Sequence, residues 1–118
     1  MCEREMFECR KNELFQLIRE ALWASSHAHE LVFKEPHQRE NEFIAGLYLA
    51  QASSRISAAR SLYWSNYEIL NRSEVESIFN SFGVFECELL QCIKDNHSHQ
   101  WTDIEFRKFK ETVEAFVY

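Results

Sequence analysis

Glycine and proline are scarce in this chain, which has two glycines and one proline in 118 residues. Hairpins and tight corners depend on residues that accept a positive φ or that hold φ in advance. Their scarcity argues against a turn-rich all-β fold, whereas helices need few such residues. Because a chain of this length can bury its own hydrophobic core, we expect residues 1–118 to form a single helical domain.

Long apolar runs and paired cysteines are also missing. No apolar run approaches the ~20 residues of a membrane span, and the acidic N-terminus lacks the regions of a signal peptide. The four cysteines, Cys2, Cys9, Cys87 and Cys92, include no CxxC pair, so neither a zinc ribbon nor a redox motif is predicted. We therefore expect a cytoplasmic protein with reduced thiols and no cofactor, and we expect Cys87 and Cys92 to be inert core thiols.

Positive charge is in short supply, since the formal net charge is −6. Proteins that bind nucleic acid need clustered Lys and Arg to contact phosphates, so a nucleic-acid partner is not expected. An acidic balance favours a basic protein partner instead. Glu86 and Glu88 belong to the most acidic part of the chain and have no evident role in starting a helix. We therefore expect them to steer such a partner.

Apolar residues recur every three or four positions, which predicts four helices, at about 3–33, 38–70, 73–95 and 103–118. Short connections between them favour an all-α fold, the up-and-down antiparallel four-helix bundle. The helices have unequal lengths, and the chain ends on the mostly apolar residues 115–118. We expect this uncovered apolar surface to mediate a homodimer.

The predicted helix boundaries rest on local signals. Pro36 should end the first helix, because proline disfavours helical geometry in the residue before it and has no N–H to donate. The polar segment 96–100 is expected to be a turn. Asn71 and Thr102 are each followed three residues later by a glutamate, the pattern of a capping box at the start of the third and fourth helices.

The second predicted helix is rich in small residues. Gly46, Ala50, Ser54 and Ala58 step by four and leave a groove that lets a neighbouring backbone approach closely. Arg55 and Arg60 of this helix must either extend outward or pair with acids on an adjacent helix, and we expect them to extend outward because charges are seldom buried.

An aromatic run near residue 65 is the main candidate for partner binding. Tyr63 and Tyr67 lie one helical turn apart with Trp64 beside them, which offers a large contact area with polar tips. In the alternative, Trp64 belongs to the core and the two tyrosines cover its rim. We expect Tyr63 or Tyr67 to anchor the partner.

Histidines suggest a second function class, metal binding, because they form two His-x-His pairs, at 27–29 and 97–99. Residues i and i+2 of a helix point about 200° apart, so His27 and His29 cannot share one ion. His97 and His99 lie in the predicted turn and could converge. A metal-binding helical bundle therefore stays open as an alternative.

The segment 94–99 supports a third alternative. Its Lys-Asp-Asn-His-Ser-His sequence resembles the Arg-(Asn/Asp)-x3-His motif of the HEPN family, whose members are helical, often dimeric, and in many cases cleave RNA. The resemblance implies an RNA-cleaving domain, or an inactive relative, in which Lys94 and His99 take the motif positions. Lysine stands where the family has arginine, and an ammonium group cannot reproduce the bidentate grip of a guanidinium.

The function that we expect from the sequence is therefore a small acidic helical protein-binding module. Its surface is similar in general character to immunity, antitoxin and inhibitor proteins that cover basic effectors. The chain has no glycine-rich phosphate loop and no nucleophile elbow, which lowers the expectation of an enzyme.

Overall fold

The computed structural model describes residues 3–34, 39–95 and 99–117. These residues form helices and no strand, so the predicted all-α class is confirmed. The helices are α1 Glu3–Lys34, α2 Arg39–Ser65, α3 Tyr67–Leu70, α4 Ser73–Asp95 and α5 His99–Ala115. None of the described helices combines the length and the apolar character that a membrane crossing requires.

The predicted helix over 38–70 is divided, because α2 ends at Ser65 and the short α3 follows. The Asn66 side-chain amide donates a hydrogen bond to the carbonyl of Leu62 at 2.9 Å, and the backbone N–H of Asn66 points to the same carbonyl at 3.1 Å. Asparagine side chains compete in this way with the helical backbone ladder. The break redirects the chain between the aromatic residues on either side of it.

Both predicted capping boxes are wrong. Asn71 closes α3, since its side-chain amide donates to the carbonyls of Tyr67 at 2.9 Å and Glu68 at 3.2 Å. Thr102 lies inside α5, which begins at His99, and its buried hydroxyl donates to the carbonyl of Glu88 at 3.3 Å. In each case the polar side chain bonds a carbonyl oxygen of a preceding helix.

The two predicted breaks between helices lie largely outside the described residues. Residues 35–38, with Pro36, and residues 96–98 are not described. The helices on either side end at Lys34 and Asp95, and the next helices begin at Arg39 and His99.

Apolar side chains from all five helices form one core cluster. α1 packs along α2 and also contacts α5, while α4 packs on α5 and meets α2. Phe109 of α5 is fully buried, with its ring 5.5 Å from Phe82 and 6.3 Å from Phe85 of α4. Burying each such side chain contributes about 1.5–3 kcal/mol, so these contacts join the last two helices.

Of the two predicted arrangements, Arg55 pairs with an acid of a neighbouring helix, and Arg60 stays exposed while it contacts α4. Arg55 forms an ion pair with Glu20 of α1, with 2.9 Å between Nε and Oε2. Arg60 donates to the carbonyl of Phe79 on α4 at 3.4 Å and lies over that residue's ring. Each arginine is thus turned toward a neighbouring helix, one on each flank of α2.

Candidate functional site

Three aromatic residues at the α2–α3 junction form what we call the aromatic corner: Tyr63, Trp64 and Tyr67. The rings of Trp64 and Tyr67 stack with 5.1 Å between centroids and 19° between planes. Both are exposed, Trp64 by 54% and Tyr67 by 44%. The break at Asn66 lies between these two residues, so the stacked pair sits where α2 gives way to α3.

Tyr63 packs against both Trp64 and Tyr67 from the core side. Its ring is fully buried and meets Trp64 edge-on at 5.1 Å and Tyr67 at 5.6 Å. Its hydroxyl accepts the backbone N–H of Arg72 at 3.0 Å and lies within donating distance of the Glu76 carboxylate at 3.0 Å and the Arg72 carbonyl at 3.1 Å. The tyrosine therefore ties the aromatic corner to the start of α4.

The groups around the Tyr63 hydroxyl alter its acidity. Burial raises the pKa of Tyr63 above 10.0, and the Glu76 carboxylate raises it further, against the lowering effect of the hydrogen bond with the Arg72 backbone. Tyr63 thus remains neutral at physiological pH and can donate to Glu76. These hydrogen bonds fix the position of the Tyr63 ring, against which Trp64 and Tyr67 pack.

Acidic residues follow the aromatic corner in the sequence, and one of them, Glu76, contacts Tyr63. Glu68 is exposed one residue beyond Tyr67. Glu74 is exposed and pairs with Arg72 at 3.0 Å, and its pKa lies below 4.5 because its own backbone N–H and then the Arg72 guanidinium favour the charged form. The half-buried Glu76 lies 3.0 Å from the Tyr63 hydroxyl, so a carboxylate adjoins the aromatic corner.

The sequence placed the aromatic residues correctly in one cluster but did not separate core from surface within it. In the alternative that we considered, Trp64 was core, yet Tyr63 is buried and Trp64 is exposed. Tyr63 continues the spacing of the buried α2 residues Ile56 and Ala59, and that spacing was the available signal. Direct contact with a partner would thus fall to Trp64 and Tyr67, with Tyr63 behind them.

Glu86 and Glu88 lie apart from this cluster, on the later half of α4, and both are half-buried. Being two residues apart on one helix, they point in directions that differ by about 200°. A single flat partner surface could not contact both carboxylates. The role of Glu86 and Glu88 in steering a partner stays a prediction. The sequence did not indicate that Glu76 would contact the aromatic corner.

The first histidine pair is split between two helix contacts. His27 stacks on Tyr48 of α2 with 5.1 Å between ring centroids. His29 stacks on Phe106 of α5 and places Nε2 2.5 Å from Oδ1 of Asp103. Among the described residues no group of three or more His, Cys, Asp or Glu side chains could hold a metal ion. His97 lies outside the described residues, so the second pair stays untested.

The positions of the HEPN-like motif flank the connection between α4 and α5. Lys94 is exposed on the last turn of α4, and His99 is the first residue of α5. The described residues include the backbone of His99 but not its side chain, so the geometry between the two groups stays a prediction.

The cysteines differ from one another. Cys87 is exposed, which contradicts the expectation of a core thiol, whereas Cys92 is buried. Burial raises the pKa of Cys92, and Glu42 and Asp103 raise it further, against a lowering hydrogen bond with Thr102. The nucleophilic form of a cysteine is the thiolate, so these surroundings make Cys92 a poor nucleophile.

Comparison with known protein families, with curated proteins and with solved structures finds no match for this chain.

Proposed function

We propose that this protein is a protein-binding module that docks through the aromatic corner. The observation that carries the proposal is the exposed stack of Trp64 on Tyr67, backed by a buried and hydrogen-bonded Tyr63. Tryptophan and tyrosine are enriched at binding hot spots because they bury a large area at little cost in side-chain entropy. A stack already in place lowers that cost further.

The partner that fits this surface is a basic protein. Glu68, Glu74 and Glu76 follow Trp64 closely in the sequence, Glu76 contacts the Tyr63 hydroxyl, and the chain as a whole carries a net charge of −6. Glu86 and Glu88 would add to the negative field at longer range. This is the surface chemistry of immunity, antitoxin and inhibitor proteins that cover basic effectors, and we propose that the protein works in this way in the cytoplasm.

The test is capture from an extract of the source organism with three forms of the protein. Partners that bind the wild type should be lost with the double variant Trp64→Ala/Tyr67→Ala. They should be retained by Trp101→Ala, which removes an equally exposed tryptophan from α5. The purified partner should then associate more slowly as salt is raised, since screening weakens electrostatic steering. Equal capture by all three forms would refute docking at the aromatic corner.

RNA cleavage by a HEPN-like site is the competing proposal, because Lys94 is exposed and His99 opens the next helix. Purified protein would be incubated with a mixed RNA substrate beside the variants Lys94→Ala and His99→Ala. Cleavage that disappears in both variants would support the enzyme. No cleavage by the wild type would remove this candidate.

A metal-binding role would be decided by elemental analysis of protein purified without a histidine tag.

We further propose that the four long helices form an up-and-down antiparallel bundle and that the protein is a homodimer. The pairs Glu20–Arg55, His29–Asp103 and Thr102–Glu88 support the bundle. The last two pairs each join the late part of one helix to the first turns of α5, and Glu20–Arg55 joins the middle of α1 to the second half of α2. The chain end offers one dimer surface, where Val117 is exposed and Phe116 is buried.

A further inference from the structure

Over residues 43–58, the side of α2 that faces away from the core is uncharged, whereas the exposed Arg39 and Glu40 precede this stretch. We call this surface the outer face of α2 and define it by the exposed residues Phe43, Leu47, Ala50, Ser54 and Ala58. Phe43 is 68% exposed and Leu47 is 58% exposed, so two large apolar side chains stand in solvent one helical turn apart.

Arg55 and Arg60 do not place charge on this face. Arg55 turns to Glu20 on the flank toward α1, and Arg60 turns to Phe79 on the flank toward α4. The opposite side of α2 is buried and apolar, from Ala45 to Tyr63. A stretch of helix that has no charge on its inward or its outward side is normally covered on both. Within the described residues, α2 is covered on one side only.

We propose that a second copy of this chain covers the outer face of α2, with the two α2 helices antiparallel across a twofold axis near Ala50 and Gln51. This arrangement would set Leu47 of one copy over Ser54 of the other, and Phe43 over Ala58. The large side chains of one copy would thus pack on the small side chains of the other, which is the self-complementarity that a twofold interface requires. The small residues let the two backbones approach closely.

Trp23 of α1 extends the same surface. It is 53% exposed, and its ring lies 5.9 Å from that of Tyr48 on α2, which places it at the level of the proposed axis. With roughly 200 Å² for a large side chain, the exposed fractions of Trp23, Phe43 and Leu47 amount to about 360 Å² per copy. A specific interface at the small end buries about 600 Å² per partner, so the polar and small residues between them would supply the remainder.

A second copy fits this face better than a basic partner does, because the face has no charge with which to select one. For a chain of net charge −6, an uncharged surface is also where two copies repel each other least. The inference rests on the proposed homodimer and moves its interface from the chain end to α2. It leaves the aromatic corner of each copy free for the partner.

Light scattering after gel filtration tests the interface. Wild-type protein should have twice the 14.1 kDa mass of one chain. Ser54→Glu places a carboxylate on the outer face of α2 and should give a monomer with unchanged helical circular dichroism. Ser77→Glu makes the same change on an exposed position of α4 and should remain a dimer. A monomeric wild type, or a dimeric Ser54→Glu, would overturn the proposal.

Cysteine cross-linking tests the helix direction, in protein whose Cys2, Cys9 and Cys87 are replaced by serine. A mixture of Leu47→Cys and Ser54→Cys should form a disulfide-linked dimer. Neither variant should do so alone, because seven residues of helix separate identical positions by about 10 Å, beyond disulfide reach. Cross-linking of each variant with itself would indicate parallel helices and overturn the antiparallel arrangement.

The two proposals can fail separately. Ser54→Glu lies on the outer face of α2 and should keep any binding that depends on Trp64 and Tyr67. A monomeric wild type that still captures a partner through the aromatic corner would refute the dimer alone. A dimer that captures nothing in this way would refute the docking role alone.

Discussion

The Tyr63 hydroxyl joins the end of α2 to the first turn of α4 through Arg72 and Glu76. Tyr63→Phe keeps the buried ring but leaves the Arg72 N–H without this acceptor and Glu76 without its donor. We expect the free energy of unfolding to fall by about 1–2 kcal/mol. Urea denaturation at neutral pH measures it. Tyr67→Phe removes a hydroxyl from an exposed ring and should change stability by less, so equal losses would refute the bridging role.

The same hydroxyl should make stability depend on alkaline pH. Burial raises the pKa of Tyr63 in the folded protein, while the unfolded chain titrates near the ordinary value of 10.0. The folded state therefore holds this proton more tightly, and the stability it confers is complete below pH 10. That stability is lost as pH rises through the raised pKa. The difference in unfolding free energy between wild type and Tyr63→Phe should shrink above pH 10, and a constant difference would contradict the assigned pKa direction.

Residue spacing in the sequence indicated which side chains are buried better than which are exposed. Ile18, Phe85 and Phe109 lie in predicted apolar stripes and are buried. Trp64 was ambiguous, because a tryptophan satisfies the hydrophobic pattern whether it fills the core or stands in solvent. Trp64 is exposed because the adjacent Tyr63 occupies the core position. Tyr63 occupies it because its hydroxyl finds hydrogen-bonding partners at Arg72 and Glu76, which the sequence does not reveal.

At the scale of elements, the start of α4 should respond to acid. The backbone N–H of Glu74 and then the Arg72 guanidinium lower the pKa of the Glu74 carboxyl, so the unfolded chain binds this proton more readily. The resulting stability is present above the ordinary value of 4.5 and is lost as pH falls through the lowered pKa. Glu74→Gln should thus be less stable than wild type at neutral pH and equally stable in strong acid.

Chemical denaturation at pH 7 and in strong acid measures this difference. Glu111→Gln changes an exposed carboxyl within α5, away from any helix start, and serves as the matched control. A Glu74→Gln deficit that persists unchanged in acid would show that the charged form of Glu74 is not the source of the stability.

Element existence could be predicted from periodicity, whereas element boundaries could not. Asn71 and Thr102 both carry the residues of a capping box, but Asn71 bonds back to α3 and Thr102 bonds across to α4. A polar side chain has several acceptors within reach, and the sequence does not reveal which of them packing brings closest. The division of the second predicted helix at Asn66 has the same cause.

At the scale of the whole molecule, the two proposed interactions should respond to salt in opposite directions. Each chain carries a net charge of −6, so two copies repel each other, while the outer face of α2 offers no charged pair to offset that repulsion. Raising the ionic strength from about 0.01 M to about 0.15 M shortens the Debye length from ~30 Å to ~8 Å. The dimer dissociation constant should therefore fall, whereas binding of a basic partner at the aromatic corner should weaken.

Sedimentation equilibrium across this range of salt measures the dimer constant, and surface binding kinetics measure the partner. Ser54→Glu is the control for the dimer, because it adds two like charges about 10 Å apart along the interface and so increases the repulsion between the copies. If Ser54→Glu still dimerises weakly, its dimer dissociation constant should fall by a larger factor with added salt than the wild-type constant does. If salt instead dissociated the wild-type dimer, charged pairs would be holding it together. The interface would then lie on a charged surface and not on the outer face of α2.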